Sequence, residues 1–302
     1  MIGNVIVGQS GGPTAVINSS LAGVYKTAID RGANKVYGML HGIKGLLDNQ
    51  YVDLSEKLGK TIDIDLLKRT PSSYLGSCRF KLPEIDSDKE TYEKIFNILA
   101  KLEIKYFFYI GGNDSMDTIK KLSDYASIVK SDIKFMGVPK TIDNDLWGTD
   151  VTFGYHTAVD IATDVIDRLH TTACSHGRIM VVEIMGNKAG WLALSSGIAG
   201  GADAIVLPEF PYDIDKLIDA MEKREKQGKN FSIIAVAEGC IDKEEAKMKK
   251  KERAAKRAEE GITSATTRIA AQIGKATGIE TRCCVPGHML RGGSPSAYDR
   301  IL

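Results

Sequence analysis

Short apolar runs bounded by glycine or proline alternate along this chain with segments of helical periodicity. This alternation predicts a mainly parallel α/β sheet, because parallel strands need crossover helices between them. The runs that we predict to be buried strands are residues 4–8, 105–110, 133–138, 179–184, 204–207 and 231–237. Ligands of such sheets bind beyond the carboxyl ends of the strands. Several of these strands end in polar turns that contain glycine or proline, so we expect the functional residues in those turns.

Composition limits the classes of protein to which this chain can belong. Its 302 residues are 43% hydrophobic, which is enough for a sizeable core in one large or two ordinary domains. The net charge of +1 provides no general basic field for nucleic acid or an anionic membrane, so any anion site must be built locally. No run of about 18 uncharged apolar residues occurs, and the start at Met1-Ile2-Gly3-Asn4 lacks a charged n-region. We therefore expect a soluble, non-secreted protein with no nucleic-acid or membrane partner.

The cysteines indicate a reducing compartment. There are five, an odd number, and none has Cys-x-x-Cys spacing. This pattern fits neither a disulfide framework nor a zinc site, so we expect a cytoplasmic location. The residues are Cys78, Cys174, Cys240, Cys283 and Cys284.

The first polar turn follows residues 4–8 and reads Gln9-Ser10-Gly11-Gly12-Pro13-Thr14, before a helical pattern that starts at Ala15. Glycines let the backbone approach a ligand closely, and the N-terminus of the following helix offers free N–H groups to an anion. Phosphate is the ligand that this turn predicts. The alternative is a glycine pair that serves only tight packing.

The second polar turn follows residues 105–110 and reads Gly111-Gly112-Asn113-Asp114-Ser115-Met116. Amide, carboxylate and hydroxyl oxygens at the end of a strand can hold Mg²⁺ together with phosphate oxygens. In the alternative interpretation Asp114 is only the N-cap of the next helix.

The third polar turn follows residues 133–138 and reads Pro139-Lys140-Thr141-Ile142-Asp143-Asn144-Asp145. A lysine, a hydroxyl and two carboxylates supply a cation for phosphate, a hydrogen-bond donor, a general base and a metal ligand. A structural turn with a capping aspartate is the alternative, but it leaves the lysine and the second carboxylate unexplained.

Further candidates for a phosphate ester and its sugar hydroxyls follow the later strands. They are Arg178, the run Met185-Gly186-Asn187-Lys188, Glu238, Thr281-Arg282 and the run from Gly287 through His288 and Arg291 to Pro295. Each arginine, taken singly, is more typical of a surface ion pair.

Residues 242–260 are rich in Lys, Arg, Glu and Ala and contain no proline or glycine. Opposite charges recur at helical spacing, as in Glu245 with Lys249 and Glu252 with Lys256. We predict a solvated surface helix here, with a functional basic face as the alternative.

Taken together, these turns resemble the phosphofructokinase family. The matching motifs run in the family's order along essentially the whole chain. They are Ser10-Gly11-Gly12, Gly111-Gly112-Asn113-Asp114-Ser115, Thr141-Ile142-Asp143-Asn144-Asp145, Met185-Gly186, and His288 to Pro295 followed by Tyr298-Asp299-Arg300.

The resemblance implies transfer of a phosphoryl group to the 1-hydroxyl of fructose 6-phosphate, with Mg²⁺ as cofactor. By position, Asp143 resembles the general base, Thr141 and Gly12 contact the transferring group, and Arg79 neutralises the donor phosphates. The implied donor site comprises Gly11, Gly12, Gly111, Gly112, Asp114, Ser115 and Lys140, and the implied metal residues are Asn113, Asp114 and Asp145. The implied sugar-phosphate site comprises Thr141, Asp143, Asp145, Arg178, Met185, Gly186, Glu238, Arg282, His288 and Arg291.

The resemblance also implies a fold and an assembly. The fold is two Rossmann-like α/β lobes with mainly parallel sheets. The phosphoryl donor binds to residues 1–154 plus 290–302, and fructose 6-phosphate binds to residues 155–289. Arg178 and Arg282 come from a neighbouring subunit in the family, so a homodimer or homotetramer with shared active sites is implied. Relatives continue beyond Leu302, where this sequence ends within a helical segment.

Two departures from the family pattern concern the phosphoryl donor. Asp114 and Lys140 stand where ATP users of the family have glycine, and both changes resemble the pyrophosphate-dependent branch. A carboxylate there repels an α-phosphate, while an ammonium can pair with a shorter donor. We therefore expect reversible transfer from pyrophosphate in glycolysis.

Three other functions stay open at this point. An ATP-dependent 6-phosphofructokinase is the nearest. A catalytically silent regulatory subunit is a second, because Asn113 replaces the usual metal-associated aspartate. A lipid or NAD kinase would share the Gly-Gly theme but leave the run from His288 to Pro295 unexplained.

Overall fold

The computed structural model describes residues 3–259, 261 and 264–302. The first two residues and Glu260, the predicted end of the charged helix, lie outside the described part. The strands are β1 (Asn4–Gln9), β2 (Val36–Met39), β3 (Tyr51–Asp53), β4 (Ile104–Gly111), β5 (Lys134–Pro139), β6 (Ile179–Ile184), β7 (Ala204–Val206), β8 (Ser232–Ala237) and β9 (Thr281–Cys284).

The strands are joined by helices of very different lengths. They are α1 (Ile17–Asp30), α2 (Gly42–Leu47), α3 (Leu54–Lys57), α4 (Thr61–Arg69), α5 (Lys89–Lys101), α6 (Asn113–Ile128), α7 (Tyr155–His176), α8 (Trp191–Ala199), α9 (Ile214–Lys226), α10 (Lys250–Glu259), α11 (Ala265–Thr277) and α12 (Ala297–Ile301). Short 3₁₀ helices cover Glu245–Lys247 and Gly287–Arg291. Within the described residues, no helix combines the length and the apolar character needed to cross a membrane.

The chain forms two compact units. The first contains residues 3–141, Leu146–Gly154 and Arg291–Leu302, and the second contains Ile142–Asp145 and Tyr155–Leu290. The expected lobes would place Ile142–Asp145 and Leu290 with the donor lobe, whereas these five residues group with the second unit. Which unit binds which substrate stays a prediction.

Each unit is built on one sheet. The first sheet has the order β3-β2-β1-β4-β5, parallel except for the antiparallel edge strand β3. The second has the order β7-β8-β6-β9 and is parallel throughout. The predicted α/β class is therefore confirmed, and the predicted strands match β1 and β4 to β8 to within one residue at each end.

The sequence did not indicate β2, β3 or β9. β2 is mostly buried but is only four residues long and contains Gly38, whereas β3 and β9 are weakly apolar. All three residues of β3 are only half-buried, and β9 reads Thr-Arg-Cys-Cys with exposed residues at its centre. The apolar signal of a buried strand is therefore missing from both.

The core explains why β1 is a continuous apolar run. Val5 and Val7 pack into one cluster with α1, whereas Ile6 packs on the opposite face with Met39 and Phe107. Because helices cover both faces of the sheet, every residue of β1 is buried. This central strand delivers the turn that follows it to the carboxyl edge of the sheet, next to the ends of β4 and β5.

The prediction of one solvated helix over residues 242–260 was wrong in its first half. Glu245 lies in a 3₁₀ turn and is fully buried, so it does not form the predicted exposed pair with Lys249. Both of its oxygens accept hydrogen bonds from Arg257 of α10, at 2.6 and 2.7 Å, and Arg268 of α11 lies 3.1 Å away. The α-helix itself begins only at Lys250. Two arginines brought from later in the chain make burial of this carboxylate possible.

Replacing Glu245 by alanine is expected to lower the free energy of unfolding by roughly 3 kcal/mol, because two guanidinium groups lose their buried partner. Burial favours the neutral carboxyl, but Arg257 and Arg268 outweigh it and hold the pKa of Glu245 below its ordinary value of 4.5. A lowered folded-state pKa stabilises the protein above the unfolded-state value, and this contribution disappears as the pH falls through the folded-state pKa. Urea unfolding at pH 7 and at pH 3.5 measures both effects.

The matched control is Glu244→Ala, which removes an exposed pair with Lys247 that should contribute at most about 1 kcal/mol. Equal losses for the two variants at pH 7 would contradict the role given to Glu245. So would a Glu245→Ala deficit that grows as the pH is lowered.

Candidate active site

The turn after β1 lies against the segment that carries Arg79. Gly11 adopts a φ of +75°, which glycine reaches without steric cost. Its N–H donates to the carbonyl oxygen of Cys78 over 3.1 Å, and the hydroxyl of Ser77 donates to the Gly11 carbonyl oxygen over 2.5 Å. The side chain of Arg79 is exposed and forms no ion pair within the described part of the chain. It is therefore available to an anionic ligand.

The helix after this turn begins later than predicted. The sequence predicted its start at Ala15, but α1 begins at Ile17, because Val16 has the non-helical angles φ −117° and ψ 7°. Val16 offers no side-chain cap to the first N–H groups of α1. The N–H of Ile17 nevertheless donates to the carbonyl oxygen of Thr14 over 3.5 Å, and the N–H of Ser19 donates to the carbonyl oxygen of Val16 over 2.9 Å. A phosphate site on free N–H groups at the start of this helix therefore stays a prediction.

Two buried amides that the sequence analysis missed hold the segment before Arg79. Gln9 donates to the side-chain oxygen of Asn18 over 2.9 Å and accepts from the N–H of Leu75 over 3.0 Å. Asn18 donates to the carbonyl oxygen of Thr70 over 2.8 Å and accepts from the N–H of Tyr74 over 2.9 Å. The sequence carried one signal for each amide. Gln9 directly follows an apolar run, and Asn18 lies among the apolar positions of a helical pattern.

The turn after β4 packs on the turn after β1 through two hydroxyl groups. Ser10 and Ser115 are both buried and hydrogen-bond to each other. A Cβ on Gly111 would lie 2.0 Å from the Ser115 hydroxyl oxygen, so only glycine fits there. The N-cap of α6 is Gly112, so the interpretation of Asp114 as an N-cap was wrong, and its exposed carboxylate lies in the first turn of the helix.

Lys140 joins the same cluster from the end of β5. Its N–H donates to the carbonyl oxygen of Gly111 over 2.8 Å, and its ammonium donates to the carbonyl oxygen of Gly12. The side chain is only 3% exposed, and a Cβ on Gly11 would lie 3.5 Å from the ammonium nitrogen. A buried positive charge therefore lies directly beside the glycine turn.

Arg291 also reaches this turn. A Cβ on Gly12 would lie 2.7 Å from the central guanidinium carbon of Arg291, so the absence of a side chain at position 12 makes room for the guanidinium. The first unit thus gathers Gly11, Gly12, Gly111, Ser115, Lys140 and Arg291 around the ends of β1, β4 and β5. His288, three residues before Arg291, is exposed in the second unit.

The predicted base lies in a short bent segment of the second unit. Asp143 is half-buried within Ile142–Asp145, and the next residue, Asn144, has a φ of +53°. Thr141, the last residue of the first unit before this segment, is buried, and its carbonyl oxygen accepts from the hydroxyl of Thr152 over 2.6 Å. A hydrogen bond therefore holds the residue before the segment, and Asn144 turns the chain within it.

Glu238 is positioned by the turn after β6. Its Oε1 accepts hydrogen bonds from the N–H groups of Gly186 at 3.3 Å and Asn187 at 2.8 Å. Gly186 has a φ of +143° and Asn187 a φ of +54°, so the turn presents both N–H groups to one carboxylate. The structure thus brings Gly186 and Glu238 together. The role of Met185, Gly186 and Glu238 in binding the sugar phosphate, which only the family resemblance implied, stays a prediction.

Arg178 and Arg282 share one carboxylate that the sequence analysis did not consider. Arg178 Nε lies 2.7 Å from one oxygen of Glu280, and Arg282 Nε lies 2.9 Å from the other. Hydrogen bonds from the two arginines lower the pKa of Glu280. Parallel pairing of β6 and β9 brings the three residues to the same ends of neighbouring strands. The trio keeps a net positive charge for an anionic ligand.

The predicted magnesium residues offer hard oxygen ligands, but few of them. Asn113 and Asp114 are exposed in the first turn of α6, and Asp145 lies in the segment Ile142–Asp145 of the second unit. In the described part of the chain, no three His, Cys, Asp or Glu side chains form a group that could hold a metal. Mg²⁺ fits such a donor set, since it usually takes one or two carboxylates and completes its shell with waters and substrate phosphates.

Comparison with known proteins identifies the family. The phosphofructokinase family model matches residues 4–302. The ATP-dependent 6-phosphofructokinase of Spirochaeta thermophila is 42% identical over 300 residues, which cover 97% of this chain and 79% of that protein.

Solved structures agree. The crystal structure of a pyrophosphate-dependent phosphofructokinase from Nitrosospira multiformis matches 99% of this chain and 73% of its own, with a TM-score of 0.84 and 27% identity. The corresponding structure from Marinobacter aquaeolei matches 99% of this chain and 72% of its own, with a TM-score of 0.82 and 30% identity. From the family match over residues 4–302 and these likenesses, the chain is an enzyme of the phosphofructokinase family.

Proposed function

We propose that this phosphofructokinase transfers a phosphoryl group from pyrophosphate to the 1-hydroxyl of fructose 6-phosphate and gives fructose 1,6-bisphosphate. The observation that carries the choice of donor is the buried ammonium of Lys140 on the carbonyl oxygen of Gly12. Pyrophosphate is a donor of modest energy, so the reaction is reversible.

Lys140 and Asp114 favour a donor with two phosphates. The ammonium occupies space beside the glycine turn and supplies a positive charge that a nucleotide user would obtain elsewhere. The Asp114 carboxylate repels a further anionic phosphate, since two like charges about 4 Å apart interact unfavourably by several kcal/mol near a protein surface. Pyrophosphate avoids that repulsion because it has no third phosphate.

The donor is held by the residues around the glycine turn. The backbone of Gly11, Gly12, Gly111 and Gly112 approaches its oxygens, with the Ser115 hydroxyl and the exposed Arg79 guanidinium alongside. Asp114, Asn113 and Asp145 are the residues that would hold Mg²⁺, which when bound neutralises charge on the phosphate oxygens.

The acceptor is activated by Asp143. Its carboxylate takes the proton of the 1-hydroxyl as that oxygen bonds to phosphorus, the bond to the leaving phosphate breaks, and inorganic phosphate departs. Thr141 contacts the transferring group. Such a reaction asks the protein chiefly for positioning and charge stabilisation.

The sugar phosphate is bound by residues that carry positive charge or accept hydroxyl groups. Arg178 and Arg282 take the phosphate, with Glu280 holding the two guanidinium groups side by side. Glu238 accepts a sugar hydroxyl with the oxygen that Gly186 and Asn187 do not use. Met185, His288 and Arg291 complete the proposed set.

The proposal extends to assembly and location. A homodimer or homotetramer would bring Arg178 and Arg282 to the active site of a neighbouring subunit. All five cysteines are free thiols, which suits a reducing cytoplasm.

ATP is the second candidate donor, because the Spirochaeta thermophila relative at 42% identity carries an ATP-dependent name. The experiment is an assay of the full chain with fructose 6-phosphate and Mg²⁺ and either pyrophosphate or ATP. We expect kcat/KM at least tenfold higher with pyrophosphate. A preference for ATP would refute the choice of donor and leave the acceptor chemistry intact. Absence of turnover with both donors, despite binding of fructose 6-phosphate, would favour the silent regulatory subunit.

A further inference from the structure

The first unit contains a cavity that none of the proposed catalytic residues lines. Its volume is about 530 Å³. Its walls are Arg69 at the end of α4, Arg300 in α12, Ala15, Pro71 and the segment 293–295. Among the described residues that line it, the two charged side chains are both arginines and none is a carboxylate.

Neither arginine has an acidic partner in the part of the chain that the structure describes. Within the described residues no carboxylate lies within ion-pair distance of Arg69 or Arg300, whereas Arg168 and Arg224 pair with aspartates at 2.8 and 2.9 Å. The proposed substrate-binding Arg79 likewise forms no such pair. An anionic ligand can bind such a guanidinium group without first breaking an ion pair.

Arg300 is held in place before any ligand arrives. Its Nε donates to the carbonyl oxygen of Pro295 over 3.1 Å, and its Nη2 lies 3.3 Å from the Ser294 hydroxyl oxygen. Its helix is anchored by Asp299, which is 3% exposed and accepts from the N–H of Gly154 over 2.7 Å. A fixed guanidinium loses little conformational entropy when it binds an anion.

Arg69 faces the cavity from a backbone that is also held. It is the last residue of α4, and the carbonyl oxygen of the next residue, Thr70, accepts from the buried amide of Asn18 over 2.8 Å. Leu67, one half-turn earlier, is in the core. Two arginines on separately anchored elements therefore face one cavity of a size suited to a small organic phosphate.

We propose that this cavity binds a small dianion, either inorganic phosphate or a phosphate monoester, between Arg69 and Arg300, and that its occupancy regulates catalysis. Both walls continue into segments with proposed catalytic roles. Residues 293–295 follow Arg291, whose guanidinium lies against Gly12, and Ala15 follows the same glycine turn. An anion that bridges the cavity would hold both segments and so lower the KM for fructose 6-phosphate.

The binding test uses isothermal titration of the full chain with inorganic phosphate and, separately, with glycerol phosphate. In the double variant Arg69→Met/Arg300→Met, the affinity for the anion at one class of site, the cavity, should fall at least tenfold. Lys57→Met/Lys101→Met removes two exposed charges elsewhere in the first unit and should keep that site. Arg79→Met should weaken only the remaining, active-site class. Arg69→Met alone changes an exposed residue whose side chain forms no hydrogen bond with the described residues, so it tests the site even if the double variant does not fold.

The two probes distinguish the ligand source. Tighter binding of glycerol phosphate assigns the site to a metabolite, and tighter binding of inorganic phosphate assigns it to the free ion. The proposal is wrong if wild type has no class of site that the arginine variants remove, or if the lysine variant loses it equally.

The kinetic test rests on the proposed function. At saturating donor, glycerol phosphate should lower the KM for fructose 6-phosphate at least threefold in wild type and not in Arg69→Met/Arg300→Met, with kcat unchanged in both. An unchanged KM in wild type would overturn the regulatory part. Absence of turnover with either donor would refute the proposed function, while the titration would still decide the site.

Discussion

Replacing Asp143 by asparagine is expected to lower kcat with pyrophosphate by about 10²–10⁴-fold, the usual contribution of a positioned general base. The amide has the size of the carboxylate but cannot take the proton of the 1-hydroxyl, so the loss should appear in turnover. Fructose 6-phosphate should still bind within about threefold of wild type, because the proposed phosphate contacts come from the arginines. Steady-state kinetics and a binding titration measure the two quantities separately.

Asp86→Asn is the matched control for this variant, since Asp86 is an exposed aspartate for which we propose no role. It should keep wild-type turnover. A rate for Asp143→Asn within a few-fold of wild type would remove Asp143 from the role of base. A parallel collapse of fructose 6-phosphate binding would assign it to substrate binding instead.

The double replacement Asp114→Gly/Lys140→Gly is expected to exchange one donor for the other. Loss of the buried ammonium removes the charge-assisted contact that we propose to pyrophosphate, so kcat/KM for that donor should fall about 100-fold. Loss of the carboxylate and of both side-chain volumes makes room for the α-phosphate of ATP, so kcat/KM for ATP should rise at least tenfold. The N–H of residue 140, which bonds to the Gly111 carbonyl oxygen, is kept in the variant.

A second double variant separates the effect of side-chain charge on donor choice from the effect of side-chain volume. Asp114→Asn/Lys140→Met removes both charges and keeps nearly the same volume, so it should lose pyrophosphate activity without an equal gain for ATP. An equal gain in this pair would show that repulsion alone excludes the nucleotide. If the glycine pair stays inactive with ATP, the role that we give to Lys140 and Asp114 in donor choice is wrong.

The relation between sequence and structure differs from one motif to another. The strands of 179–184 and 231–237 could be predicted almost to the residue, because an apolar run bounded by polar turns is a local signal. The start of α1 could not, because Ala15 and Val16 are compatible with a helix and only the path of the preceding turn keeps them outside it. Arg79 could be named as a candidate, but the amides of Gln9 and Asn18 that hold its segment could not.

By itself the sequence determined the α/β class, the positions of the glycine-rich turns and the residue types that they carry, because hydrophobic period and turn chemistry act between near neighbours in the chain. Only the tertiary structure decided that Glu245 is buried between two arginines, that Arg291 lies on Gly12, and that Arg178 and Arg282 share Glu280. These contacts join residues that are far apart in the chain, 102 positions in the case of Arg178 and Glu280. The sequence pattern around each residue does not identify such a partner. The free energy of pairing two charges depends on the distance at which the fold places them and on how much water the fold excludes from them.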